Sequence, residues 1–390
     1  MRGKNKEEET MKKILAIFLA LVFAFSMAAC AGAPTPEPAD QPSEAPVTEQ
    51  KTEEPVASAD GTYEIALVTD VGNIDDKSFN QGTWEGVKAY AEANGKTFNY
   101  YRPSEDSDEA RIETIKTAIE KGAKVVACPG YLFASAVGTL QEQYPETMFL
   151  VLDVSLRDLP NPAANTALVT YQEEQAGYFA GYAAVKEGYT KLGFLGGMAV
   201  PAVVRFGYGF VQGANDAAKE LGNVADVQIK HWYCDSFAPS DDIKTKMSGW
   251  YTEGTEVVFA CGGGIYLSAV GAAEEAGAKV IGVDRDQAGD SELIITSAMK
   301  ALAPSVQVAL GEFYDGGATA WPESWGGQQT VFGVSNDSVG LPTEEASWRM
   351  TNFTVEEYNE LYAKVKSGEI VVSNAIDAAP AVEISVDYQN

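Results

Sequence analysis

The chain has 390 residues, a formal net charge of −28 and 45% hydrophobic residues. So acidic a globule repels nucleic acid and multiply charged phosphates, and suits a neutral small ligand. Beyond Cys30 it holds Cys128, Cys234 and Cys261, one histidine, His231, and no CxxC spacing, so no complete disulfide set, zinc site or cofactor is expected.

Two methionines are candidate starts, Met1 and Met11. From Met11 the chain reads as a secretory signal over residues 1–29: Lys12 and Lys13, an apolar core over 14–25, then small residues. The apolar run is short for a bilayer span. Its end, Met27-Ala28-Ala29-Cys30, resembles a bacterial lipobox, in which the cysteine becomes the lipidated N-terminus. Ordinary cleavage after Ala-x-Ala is the alternative. Residues 30–61 are rich in proline and glutamate and poor in large apolar side chains, as in an extended, solvated tether.

The roughly 330 residues that follow exceed one ordinary core, so two lobes are expected. Strands are predicted over 63–70, 98–102, 123–130, 148–153 and 167–171, alternating with helices over 78–95, 108–122 and 133–143. The rhythm then restarts. Helices over 173–188, 207–222 and 266–276 alternate with strands over 191–197, 227–234, 256–264, 279–284 and 292–300. A strand over 330–335 and a helix over 354–368 follow. Such alternation predicts α/β architecture: two doubly wound parallel-sheet lobes facing one cleft. Asp70, Pro129-Gly130, Asp153, the glycines over 262–264 and Asp284 each close a predicted strand. Ligands in such folds bind outside the carboxyl ends of strands. A lone aspartate there serves equally well as a helix N-cap.

The stretch DVGNIDDKSFNQ (70–81) surrounds Phe79 with polar residues. Ser78 and Gln81 fit a capping box that starts a helix at Ser78. Phe79 then lies in the first turn, either packed into the core or facing the cleft. The glycines at 262–264 lack the third glycine of a dinucleotide fingerprint, since Leu267 stands there. No phosphate-binding P-loop and no nucleophile–base pair is found, so an enzyme is not expected.

LVTDVGNIDDKSFNQGTWEGV (67–87) closely resembles the motif of the basic membrane protein family, the PnrA-like substrate-binding lipoproteins of bacterial ABC transporters. YQEEQAGYFAGYAA (171–184), RFGYGFVQGA (205–214), VIGVDRDQ (280–287), ITSAMK (295–300) and VFGVSNDSVGL (331–341) extend the likeness over the domain. The resemblance implies a type I periplasmic-binding-protein fold with hinge crossings. Lobe 1 would hold 62–168 and a return at about 295–320, lobe 2 169–294 and about 321–345, with 346–390 open. It implies an extracytoplasmic monomer, anchored to the membrane through lipidated Cys30, that takes a purine nucleoside (guanosine, inosine or adenosine) to an ABC permease. A tethered sensor, or a binder of another flat heterocycle or sugar-like ligand, is the alternative. In that family two aromatics, matching Phe79 and Phe206, sandwich the base. Asp153 matches the carboxylate that reads its edge, with Asp70 and Asn80 nearby. Asp284 and Lys300 match the ribose contacts, and Gly262 and Gly263 the turn that lets backbone approach the sugar. Ile265 and Tyr266 depart from the family pattern, and Tyr266 is a candidate to enter the pocket. His231, Trp232 and Cys234 are expected in the core or at the rim.

Overall fold

The computed structural model describes residues 57–389. The expected signal, Cys30 and the tether as far as residue 56 lie outside the described residues. Short runs of β-branched and aliphatic residues, buried on both faces, form two sheets. The first contains β1 (Ile65–Val68), β2 (Phe98–Tyr101), β3 (Val125–Pro129), β4 (Met148–Leu152), β5 (Thr166–Tyr171) and a later strand, β11 (Gln329–Phe332). Its order is β11-β5-β4-β3-β1-β2, parallel throughout. The second contains β6 (Lys191–Gly196), β7 (Gln228–Tyr233), β8 (Val257–Cys261), β9 (Lys279–Asp284), β10 (Ile294–Lys300), β12 (Val339–Gly340) and β13 (Ser385–Gln389). Its order is β12-β10-β9-β8-β6-β7-β13, antiparallel only between β10 and β12. Apart from β13, the two sheets repeat one strand order, each with its carboxyl ends at a shared cleft.

Helices cover the sheets: α1 (Phe79–Ala93), α2 (Asp108–Glu120), α3 (Ala134–Leu140), α4 (Glu173–Glu187), α5 (Pro201–Leu221), α6 (Asp241–Thr252), α7 (Tyr266–Ala276), α8 (Leu302–Asp315) and α9 (Val355–Ser367). The chain crosses between lobes three times. After β5 it enters α4, which packs on α5 of the second lobe. After β10 it enters α8, which packs on α1 of the first lobe. After β11 it passes through 333–338 to β12.

Four expectations change here. Residues 294–300 pair with β9, so the return to lobe 1 begins at Leu302, not at 295. Gln329–Phe332 pairs with Leu168–Tyr171, which puts that part of 321–345 in lobe 1. A short apolar strand reads alike for either sheet, and only non-local pairing chooses its edge. The helix expected from 207 starts at Pro201, because proline at the first helical position costs no backbone hydrogen bond. Helices α6 and α8 and strand β13 lie where no element was predicted. The undecided C-terminal region sits against lobe 2. There α9 packs on α4, Gln212 of α5 both donates to and accepts from the Ser373 backbone, and β13 pairs with β7.

The seam between α4 and α5 is unusually close. A Cβ added at Gly213 would lie 1.9 Å from the Tyr178 carbonyl oxygen, and one at Gly181 2.0 Å from that of Phe210. Gly177 and Gly209 are equally confined. Only glycine lets the two backbones touch, so this repeat fixes the helix pair that carries the first crossing.

Candidate ligand-binding cleft

The cleft between the lobes has a volume of about 630 Å³, counted to its open mouth. All nine expected binding residues, Asp70, Phe79, Asn80, Asp153, Phe206, Gly262, Gly263, Asp284 and Lys300, line it. They come from seven separate segments, mostly strand ends.

The first-lobe wall is built around Asp76, which the sequence reading missed. Its Oδ1 accepts from the backbone N–H of Ser78 and Gln81, and its Oδ2 from the Asn80 backbone and side-chain N–H groups. Asp76 thus caps α1, and the expected Ser78 capping box does not form. Asp76 reaches more of the orphan helix amides than Ser78 could. That frees the Ser78 hydroxyl, which donates across the cleft to Asp284 Oδ2. Asn80 is also committed. Its amide donates to Asp70 Oδ1 at 2.8 Å and to Asp76, and its oxygen accepts from the Asp70 N–H at 3.2 Å. Asn80 therefore holds Asp70 in place. Burial pushes the Asp70 carboxyl up to about 6 against the pull of Gly72 N–H and Asn80.

The floor is a buried charge cluster. Lys300 Nζ lies 2.6 Å from Asp153 Oδ2, 3.5 Å from Glu173 Oε1 and 3.8 Å from Asp284 Oδ1. Arg205 Nε donates to Glu173 Oε2 at 2.6 Å. Despite burial, these carboxylates hold the Lys300 ammonium above its ordinary pKa. Burial opposes ionisation of Glu173, but Arg205 and then Lys300 keep it below the usual carboxylate range. Burial outweighs Lys300 at Asp153, whose carboxyl is pushed up to about 7. Asp284 is raised by burial too, with Lys300 and Ser78 pulling the other way. Asp153 and Asp284 both adopt left-handed backbone, with φ of 59° and 66°. Such strain in a non-glycine residue persists where surrounding bonds over-determine it, and it clusters at functional sites. Asp153 Oδ1 is buried and accepts no hydrogen bond.

Four aromatics border the cleft, Phe79, Tyr131, Phe206 and Phe237. Phe79 is half-buried, with the Lys300 ammonium 4.4 Å from its ring centre. Phe206 is only 2% exposed and packs edge-on against Phe259 at 6.0 Å. Phe237, absent from the expected set, is half-buried on the second-lobe side. Its ring lies on a glycine bed: a Cβ at Gly197 would come 2.5 Å from it, and one at Gly262 3.1 Å. Gly262 has φ 148°, which side chains rarely adopt. The sequence held a signal for Phe237, since it follows β7 in the loop that faces the glycine-rich strand end. Tyr266 does not enter the cleft. It is buried, and its hydroxyl donates to Asp290 at 3.1 Å. His231 is buried and stacks on Phe194 at 4.5 Å, while Trp232 and Cys234 pack at the margin of the second-lobe core.

A family model described as "ABC transporter substrate-binding protein PnrA-like" matches residues 64–375. The chain belongs to that family. It is therefore a solute-binding protein of an ABC transporter, in a family of substrate-binding proteins rather than enzymes. The chain is 27% identical over 305 residues to the "ABC transporter nucleoside-binding protein BmpA" of Lactococcus lactis subsp. cremoris, covering 72% of this chain and 82% of that one. It is 28% identical over 313 residues to "Basic membrane protein A1" of Borrelia garinii subsp. bavariensis, covering 79% and 87%. Among solved structures, a solute-binding protein from Aeropyrum pernix K1 superposes with a TM-score of 0.69 at 22% identity, over 81% of this chain and 95% of that one. That likeness bears on the fold alone, the two-lobe type I periplasmic-binding-protein fold. Among the described residues no helix is long and apolar enough to cross a membrane.

Proposed function

We propose that this chain captures a purine nucleoside (guanosine, inosine or adenosine) in the interlobe cleft and delivers it to an ABC permease. One observation carries the reading: the cleft sets half-exposed aromatics from opposite lobes, Phe79 and Phe237, beside carboxylates with acceptor capacity to spare. A purine has two flat faces, and stacking contributes about 1–3 kcal/mol per base. Phe237 replaces Phe206 as the second stacking ring, because Phe206 is only 2% exposed and packed against Phe259. Asp153 Oδ1 and Asp70 accept from base N–H groups. Asp284 and Lys300 meet the ribose hydroxyls where Gly262 and Gly263 let the chain come close. Charge-assisted hydrogen bonds of this kind contribute about 1.5–3 kcal/mol each. The carboxylates outnumber the cations in the floor cluster, which disfavours nucleotides. The nucleoside-binding relative in Lactococcus supports the ligand class.

In this reading the chain works as a monomer outside the cytoplasm, tethered to the membrane by a lipid on Cys30. The relatives named basic membrane proteins support that location. A thermal-shift screen of nucleosides, bases, sugars and flavins tests the ligand class. Purine nucleosides should raise the melting temperature. A response confined to a sugar or flavin contradicts the reading.

A further inference from the structure

Lobe 2 grips the binding turn of lobe 1 through one buried amide. Gln287 is fully buried just beyond the end of β9. Its Oε1 accepts from the Val283 N–H at 3.0 Å, which fixes the carboxamide against its own strand. Its Nε2 donates across the lobe boundary to the Lys77 carbonyl at 2.8 Å. A Cβ at Gly282 would come 2.5 Å from Gln287 Oε1, so the strand leaves room for this fold-back. Lys77 adopts left-handed backbone, φ 56°, immediately before the cleft residues Phe79 and Asn80. Two more bonds join lobe 2 to this turn and the helix that follows it: Ser78 Oγ to Asp284, and Arg285 to Glu85 at 3.1 Å. Arg285 and Glu85 are partly exposed, and such pairs contribute little. The Gln287 side chain is fully buried, so its bond, together with the buried Ser78–Asp284 bond, carries more of the grip than the ion pair.

We propose that Gln287 is a positioning residue for ligand binding: from lobe 2 it holds the Lys77 turn of lobe 1, and so sets Phe79 and stabilises the closed form. The clause on binding rests on the nucleoside reading; the clause on the turn does not. Loss of the bond leaves the binding residues intact but loosens the turn that presents one of them. Closure is then less stable, and bound ligand escapes faster.

The test pairs Gln287→Glu with Gln287→Ala in the full chain. Ionised glutamate retains the acceptor for Val283 N–H and loses the donor to Lys77, whereas alanine loses both, so an effect common to the two variants reports the interlobe bond. Hydrogen exchange of the unliganded protein is the first readout. The amides of Lys77, Ser78, Asn80 and Gln81 are held by side chains of the turn itself. Both variants should exchange about tenfold faster over 77–81, with strands β6 and β8 unchanged, and Gln287→Ala alone should also expose the Val283 amide of β9. Stopped-flow nucleoside binding is the second: dissociation should speed up about tenfold, with association within about twofold. Exchange over 77–81 that matches wild type in both variants overturns the proposal, as does faster exchange spread evenly over the molecule. If no nucleoside binds even wild type, the ligand reading fails, and exchange still decides the grip.

Discussion

The two lobes use one backbone plan twice and fill it differently. At the ends of β3 and β8 both place a glycine with positive φ, Gly130 and Gly262, followed by a short 3-10 turn and a helix. At the ends of β4 and β9 both place a left-handed aspartate, Asp153 and Asp284. The plan diverges elsewhere. Beyond β1, lobe 1 sets Asp70, braced by Asn80 and Asp76. The matching end of β6 is Gly196-Gly197, of which Gly197 forms part of the bed under Phe237. Lobe 1 ends β5 with Tyr171, whose hydroxyl pairs with Ser305, while lobe 2 ends β10 with Lys300. The repeated glycines shape the cleft, the repeated aspartates give each wall a carboxylate, and the divergent positions set the two walls apart. One wall supplies acceptors and a ring from a helix; the other supplies a cation and a ring from a loop.

The contrast between Lys300 and Tyr171 is the easiest to break. Lys300→Met leaves three buried carboxylates facing each other, and should cost about 3–5 kcal/mol in urea unfolding. Tyr171→Phe loses one hydroxyl bond, and should cost about 1 kcal/mol. Equal costs would mean that the charge cluster is not the keystone of the cleft floor.

The crossing helices offer a second contrast. A Cβ at Gly213, in the α4–α5 seam, would lie 1.9 Å from a backbone oxygen; the nearest atom to one at Gly86, in the matching α1–α8 seam, is 2.8 Å away. Overpacking costs about 1–3 kcal/mol and rises with the overlap. Gly213→Ala should therefore lower the urea midpoint clearly more than Gly86→Ala. The reverse order would show that the α4–α5 seam yields more easily than its geometry implies.

A third contrast concerns protons. Glu174, at the start of α4, is 2% exposed, and burial, then Glu173, pushes its carboxyl up to about 8. Its folded pKa exceeds the unfolded one, so the native state binds the extra proton between about pH 4.5 and 8. Stability from this group is full at the acid end of that window and falls as pH rises through it. Glu174→Gln should flatten the decline in melting temperature between pH 5 and 8.5. Parallel profiles for variant and wild type would rule Glu174 out as its source.

Much of this was legible in the sequence. The strand–helix rhythm gave both sheets, because period and glycine punctuation are local signals. The strand-end residues Asp70, Asp153, Gly262 and Asp284 followed from the rule on carboxyl ends. What escaped was non-local. The edge taken by β11 depends on pairing with β5 across more than a hundred residues, and β10 is fixed by its pairing with β9 and β12. Ser78 looked like a cap until Asp76 was seen to hold the same amides. Phe206 and Phe237 both sit in plausible segments, and only burial separates them. The charge cluster joins Asp153, Glu173, Arg205, Asp284 and Lys300 from five distant segments, so no spacing announces it.

Calorimetric titration of purine nucleosides into the wild-type chain and into Phe79→Ala, Phe237→Ala, Phe206→Ala and Asp284→Ala tests the central claim most directly. The account predicts one site of about micromolar or tighter affinity in wild type. It predicts losses of about tenfold or more for Phe79→Ala, Phe237→Ala and Asp284→Ala, with Phe206→Ala affecting stability more than affinity. No heat with any purine nucleoside, or normal binding by both Phe79→Ala and Asp284→Ala, would contradict it.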